Sequence, residues 1–169
     1  YDFARQTESL NGDILEIGSA WGRSLVLFGL ASRKTVWSID PHTGGRAYIE
    51  RGEKQDSYSE LMANVKRYNL ISKTKILKHT TEEVRELNLI PQGVNFSLVF
   101  IDGLHTADGV KTDFNYAFSL ISKGGIIVFD DYFEPSIPDY SEAIDKLISK
   151  NSMKLLKERK CRLAYVKFI

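Results

Sequence analysis

Apolar positions along this chain follow two rhythms. Short continuous runs at 14–17, 36–39, 75–78, 96–101 and 126–129 have the length of strands. The run 96–101 (FSLVFI) is of the kind buried on both faces. Between the runs, apolar residues recur at helical spacing. The stretch 23–32 is predicted to face a sheet with Leu25, Val26, Phe28, Gly29 and Leu30, and a helix capped by Asp56 or Ser57 runs to Tyr68 through Leu61 and Val65. The stretch 107–122 buries Val110, Phe114, Ala117, Phe118 and Ile121, and 141–149 carries Ile144, Leu147 and Ile148. A short helix at 2–10 is broken by Asn11-Gly12, and another opens at Thr80/Thr81, with Glu83 completing a capping-box pattern. Pro91-Gln92-Gly93 is a turn, Lys123-Gly124-Gly125 stops the helix before it, and Pro135 and Pro138 stiffen a later loop. The tail, 153–159 and 161–168, reads as two strands in an antiparallel hairpin at a sheet edge. This alternation predicts an α/β fold: a doubly wound, mostly parallel, seven-stranded Rossmann-like sheet with a C-terminal antiparallel hairpin, in one domain over 1–169.

The strands end in chemistry. The first runs through Glu16 into Gly18-Ser19-Ala20-Trp21-Gly22, a small-residue turn that leads straight into a helix. Gly18 permits a sharp turn, and Gly22 permits close approach to the helix start. The spacing is G-x-x-x-G rather than G-x-G-x-x-G, so the cradle for a pyrophosphate is missing. Asp40 closes the second strand, 24 residues after Glu16, where a carboxylate can accept hydrogen bonds from a ribose diol. Turn and acid together suggest a nucleoside-type cofactor without a pyrophosphate.

The fourth strand ends at Asp102 and the fifth at Asp130-Asp131. In parallel neighbours these ends lie about 5 Å apart. Three carboxylates gathered there repel unless a cation holds them, and oxygen donors suit Mg²⁺, with Mn²⁺ or Ca²⁺ fitting the same ligands. An acid pair after a strand is ordinary by itself; Asp102 on the neighbouring strand favours the metal. His105, three residues past Asp102, is the candidate base, since imidazole titrates near neutrality. His42 is a weaker candidate and His79 reads as structural. Trp21 and Tyr132 are candidate walls of a substrate pocket, and the polar loop 42–55 and the segment 133–140 are candidate lids.

Composition narrows the partners. A formal net charge of +1 gives no bulk electrostatic case for nucleic acid, and the basic stretch 154–162 reads as a solvated surface. No apolar run approaches the ~20 residues a membrane span needs. The single Cys161 excludes an intrachain disulfide and fits a reducing compartment, so a cytoplasmic location is expected. The chain opens at Tyr1 rather than Met, as an excised domain lacking an N-terminal part would.

The stretch E-I-G-S-A-W-G-R-S followed by S-I-D resembles the motif region of class I S-adenosylmethionine-dependent methyltransferases, and F-I-D-G-x-H followed by I-V-F-D-D resembles the macrocin and sugar O-methyltransferases, several of them Mg-dependent. The likeness covers about 12–133. It implies that Gly18, Ser19 and Gly22 line the methionine part of the cofactor, that Glu16 supports the turn, and that Asp40 holds the ribose. It also places Ser24 and Asp102 in the cofactor site and Thr81 beside the adenine, although His79 stands where Gly is common. Asp102, Asp130 and Asp131 become metal ligands and His105 the base. Catechol-type relatives usually carry Lys at the position of His105, which argues against that activity.

The expected function is O-methylation of a hydroxyl on a small molecule, such as a sugar or glycosylated metabolite, with S-adenosylmethionine as donor, Mg²⁺ assisting at the strand-end acids and His105 as general base. The alternatives are a metal-independent methyltransferase acting on nitrogen or carboxylate, and a non-catalytic S-adenosylmethionine-binding module. A nicotinamide oxidoreductase fits least, for want of the third glycine. Homo-oligomerisation stays open.

Overall fold

In the computed structural model, which describes residues 2–44, 56–151, 153–159 and 162–167, the two rhythms resolve into a sheet between two helical layers. In chain order the elements are α1 (Asp2–Gln6), β1 (Asp13–Ile17), α2 (Arg23–Ala31), β2 (Val36–Ile39), α3 (Ser57–Arg67), β3 (Thr74–Leu77), α4 (Thr81–Glu86), β4 (Phe96–Ile101), α5 (Ala107–Leu120), β5 (Ile121–Asp130), α6 (Pro138–Lys150), β6 (Met153–Arg159) and β7 (Arg162–Lys167). The strand order is β3-β2-β1-β4-β5-β7-β6. The first five strands are parallel, as expected; β7 and β6 continue the sheet antiparallel. The order reverses between β1 and β4, so their carboxyl ends flank the crevice where ligands collect in such sheets.

Alternate residues of the central strands feed opposite cores. On one face Leu15, Ile17, Val99, Ile101, Ile127 and Phe129 pack with Val110, Phe114 and Ala117 of α5 and Tyr140, Ala143 and Ile144 of α6. On the other, Ile14, Val36, Leu98, Phe100, Ile126 and Val128 pack with Leu25, Val26 and Phe28 of α2 and Leu61 and Val65 of α3. Burial on both faces explains the unbroken apolar runs.

Several expectations need correction. Leu30 is 58% exposed, because the nine-residue α2 seats only Leu25, Val26, Phe28 and Gly29 in the core. Gly29 lets Leu70 come so close that a Cβ there would meet its Cδ1 at 2.8 Å. Tyr68 caps the end of α3 and is exposed. The crossover helix stops at Leu120; Ile121 is buried as the first residue of β5, and Phe118 is half-buried, stacked on Phe114. The Gly124-Gly125 pair lies inside β5 rather than ahead of it. There the register against β4 jumps from Phe96↔Ile121 to Leu98↔Ile126, and Gly124 takes up the irregularity at φ 75°. The first helix ends at Gln6, and α6 starts at Pro138, the first-turn position that proline favours.

The capping box at α4 is present in full: the Glu83 amide donates to the Thr80 hydroxyl at 3.2 Å and the Thr80 amide donates to Glu83 Oε2 at 2.8 Å. Thr80→Ala is therefore expected to lower stability by about 1 kcal/mol, read by urea denaturation, with Thr80→Ser losing much less.

Candidate functional site

The β1–α2 turn is built as a set of backbone contacts. Gly18 (φ 86°) lies so close to the end of β4 that a Cβ would sit 1.9 Å from the Asp102 carbonyl oxygen. The Asp102 amide donates to the Ile17 carbonyl at 2.8 Å. Glycine at 18 thus lets the two strand ends touch. Gly22 (φ 79°) caps α2, and its missing Cβ faces Leu61 of α3 at 3.1 Å, so the space there serves helix packing.

Asp40 ties that turn to β2. Its Oδ2 accepts the Ala20 amide at 2.7 Å and its Oδ1 accepts the His42 amide at 2.6 Å. Both donors have left-handed backbone, φ 43° at Ala20 and 54° at His42. Each carboxylate oxygen keeps a lone pair for a ligand. Ser38 donates to Ser19 at 2.7 Å beneath the turn.

Glu16 is wholly buried. Ser24 donates its hydroxyl to Glu16 Oε1, and Oε2 has no partner among the described residues. Burial pushes its carboxyl up to about 8; the Ser24 bond opposes this, and the charges of Asp102 and Asp40 add to it. At neutral pH Glu16 is mostly a neutral acid.

At the other side of the crevice, His105 stands between two acids. Its Nε2 is 3.2 Å from Asp102 Oδ1, its Nδ1 is 3.7 Å from Asp131 Oδ2, and its ring meets Tyr140 edge-on at 5.3 Å. The bond to Asp102 holds the imidazole pKa above its usual value against the pull of burial, and the charges of Asp102, Asp131 and Asp130 add to that. Burial raises the Asp102 carboxyl, with Asp130 and Asp131 adding to it and His105 opposing. Asp102, His105 and Asp131 each offer a donor atom within 4.8 Å of the others. Asp131 reaches this place through left-handed backbone, φ 52°.

The structure thus brings together two of the three predicted metal acids, with His105 rather than Asp130 as the third member. Asp130 is 7% exposed; its Oδ1 accepts the Asp131 amide at 3.0 Å and its carbonyl accepts the Tyr140 hydroxyl at 3.2 Å. The donor set of two carboxylates and an imidazole fits a divalent cation.

Thr81 is buried at the start of α4 and donates its hydroxyl to Asp113 Oδ1 at 2.6 Å. Asp113, which the sequence reading passed over, carries a carboxyl pushed up to about 6 by burial, with Thr81 opposing. Its Oδ2 lies 2.5 Å from where a Gly103 Cβ would stand. It therefore joins the loop after β3 to the loop after β4. The available signal was a charge on the helix face shared by Val110, Phe114 and Ala117.

Of the weaker candidates, Trp21 is half-buried and its carbonyl accepts from Asn64 at 3.0 Å; Tyr132 donates to Asp145 at 2.6 Å and packs against Phe133. His79 lies 3.5 Å from Glu83 on the surface of α4. His42 is buried beside Asp40. Residues 45–55 of the expected lid, and Cys161, fall outside the described residues. Among those residues no helix is long and apolar enough to cross a membrane.

Comparison with known proteins agrees with this layout. A family model described as a methyltransferase domain matches residues 15–132. An uncharacterized protein of Acanthamoeba polyphaga mimivirus is 38% identical over 64 residues, which is 37% of this chain and 28% of that protein, so the match spans under a third of the curated relative. Among solved structures, the O-methyltransferase NovP superposes with a TM-score of 0.80 at 18% identity, over 99% of this chain and 79% of that one. A calicheamicin methyltransferase gives 0.75 at 19% identity, over 98% and 76%. An O-methyltransferase from Bacillus cereus, solved with S-adenosylhomocysteine, gives 0.66 at 15% identity, over 97% and 80%. With the glycine turn, the strand-end acids and the switch point in place, the chain belongs to the methyltransferase-domain family and has its α/β Rossmann-like fold.

Proposed function

We propose that this protein is an O-methyltransferase that acts on a hydroxyl of a small molecule, with Asp102 and Asp131 holding a divalent cation, Mg²⁺ first among them, and His105 receiving the hydroxyl proton. The observation that carries the reading is contact between the two half-sites: Gly18 of the cofactor turn packs on the backbone of Asp102, whose side chain belongs to the acid cluster. A donor lodged at the turn and an acceptor lodged at the acids would be neighbours. The seven-stranded sheet, edged by the β6–β7 hairpin, belongs to this reading, as does a sugar acceptor of the kind named for the calicheamicin enzyme, a TDP-rhamnose 3'-O-methyltransferase.

S-adenosylmethionine supplies a methyl group already activated on a sulfonium, so the protein contributes position, dryness and proton handling. Gly18, Ser19, Gly22 and Asp40 would line the methionine and ribose parts, with Glu16 and Ser24 supporting the turn from beneath, Asp102 beside it and Thr81 on the adenine side. A bound cation would polarise the acceptor oxygen as a Lewis acid. Asp102 orients the His105 ring through Nε2, and a raised imidazole pKa suits a group that takes a hydroxyl proton near neutrality. A second reading makes His105 a nitrogen ligand of the cation, favoured by its seat between Asp102 and Asp131.

Calorimetry with S-adenosylhomocysteine, then with MgCl₂ or MnCl₂, tests the assignment. Saturable binding of the nucleoside is expected, weakened about tenfold or more in Asp40→Ala. Turnover should stop on chelation and return with the metal. Full activity in excess EDTA would overturn the cation, and failure of the wild type to bind S-adenosylhomocysteine would overturn the whole reading.

A further inference from the structure

Among the described residues two buried side-chain atoms lack hydrogen-bond partners, Glu16 Oε2 and His42 Nε2. Glu16 is already part of the cofactor turn. His42 is not explained by that turn or by the acid cluster. Its side chain is fully buried, yet it is a polar ring on left-handed backbone, a conformation costly for most residues and several-fold enriched in His, Asn and Asp.

We infer that His42 is a positioning residue of the nucleoside site, acting through Asp40. The inference rests on the function proposed above and names a further residue of that same site. The ring Nδ1 is bonded to the Ser57 hydroxyl at 2.9 Å, which anchors the backbone after β2 to the first turn of α3. Tyr58, the next residue of α3, packs its ring edge-on against the imidazole at 5.3 Å. With the ring anchored on two neighbours, the residue is kept at φ 54°, and in that conformation its amide donates to Asp40 Oδ1 at 2.6 Å. The Ala20 amide fixes the other oxygen. The carboxylate that would take the ribose diol is therefore held by two strained amides, one from the glycine turn and one from His42. Packing alone would be met as well by an apolar ring, which would leave no unpartnered nitrogen and no bond to Ser57.

The test is a double-mutant cycle on the full chain, read by calorimetry with S-adenosylhomocysteine, with thermal melts of the unliganded proteins as the control for folding. His42→Phe keeps a buried ring and loses Nδ1; it should bind about tenfold more weakly. His42→Asn puts a hydrogen-bonding group near the place of Nδ1, tolerates left-handed backbone, and should stay within about threefold of wild type. In an Asp40→Ala background, His42→Phe should cost nothing further, because its effect passes through the missing carboxylate. Unchanged affinity in His42→Phe, or losses that add in the double variant, would overturn the inference while leaving the proposed function standing. A wild type that binds no S-adenosylhomocysteine would overturn both. Should His42→Phe fail to fold, Ser57→Ala, which removes the partner of Nδ1 and leaves the ring, takes its place in the cycle: weaker binding that vanishes without Asp40 supports the inference, and unchanged affinity, or a loss that persists without Asp40, sinks it.

Discussion

Asp102→Asn is expected to lower turnover on a hydroxyl acceptor by about 10³-fold while S-adenosylhomocysteine affinity changes by no more than about threefold. The expectation follows from where the carboxylate sits. Asp102 Oδ1 is 3.2 Å from His105 Nε2 and shares the 4.8 Å cluster with Asp131. An amide of the same size keeps the shape of the strand end and removes the charge. It then neither raises the imidazole pKa nor binds a cation well. The backbone contact of Asp102 with Gly18 and Ile17 survives the substitution, so the glycine turn is left in place. Asp131→Asn should behave alike. Asp130→Asn should be milder, since Asp130 already spends Oδ1 on the Asp131 amide and lies outside the cluster. Wild-type turnover in Asp102→Asn would remove the acid cluster from the mechanism. Equal, severe loss in Asp130→Asn would restore all three acids as one set of ligands.

Glu16→Gln should stabilise the protein in alkali and not in acid. The Glu16 carboxyl goes from an ordinary 4.5 to about 8 in the fold, chiefly through burial. Between those values the unfolded chain has released the proton and the folded chain retains it. The unfolded state therefore binds fewer protons, and stability falls as pH rises, by up to about 1.4 kcal/mol per pH unit. The contribution is fully present below about 4.5 and lost as pH rises through about 8. Glutamine keeps an oxygen for the Ser24 hydroxyl and carries no charge, so that loss vanishes. Near pH 5 the two proteins should melt together; near pH 9 the variant should melt about 10 °C higher. Parallel melting curves at both pH values would show that Glu16 ionises normally in the fold. Burial of a neutral acid next to Asp40 and Asp102 also has a functional sense: it spares the crevice a further negative charge beside the strand-end acids.

The elements were legible because their signals are local. Both-face burial writes FSLVFI as an unbroken run; the capping box is spelled by Thr80 and Glu83; the glycine turn is written within 18–22, and each acid stands at the end of its own apolar run. Where a boundary depended on pairing, the local signal misled. Gly124-Gly125 looks like a helix stop, yet the parallel register against β4 absorbs it as an irregularity inside β5. Leu30 looks like core at helical spacing, yet among the described residues that side of α2 is left exposed.

The sequence by itself determined the layered α/β order, the missing pyrophosphate cradle, and which acids end which strands, since all three follow from residue type and spacing along one line. Only the tertiary structure decided how those ends meet. Whether Asp130 or His105 completes the cluster depends on a single left-handed residue at Asp131 and on the edge of Tyr140. The bond between Thr81 and Asp113 spans 32 residues, and the one between Ala20 and Asp40 spans 20. Such contacts are set by the register of neighbouring strands and by the packing of helices on them, and no periodicity along the chain encodes either.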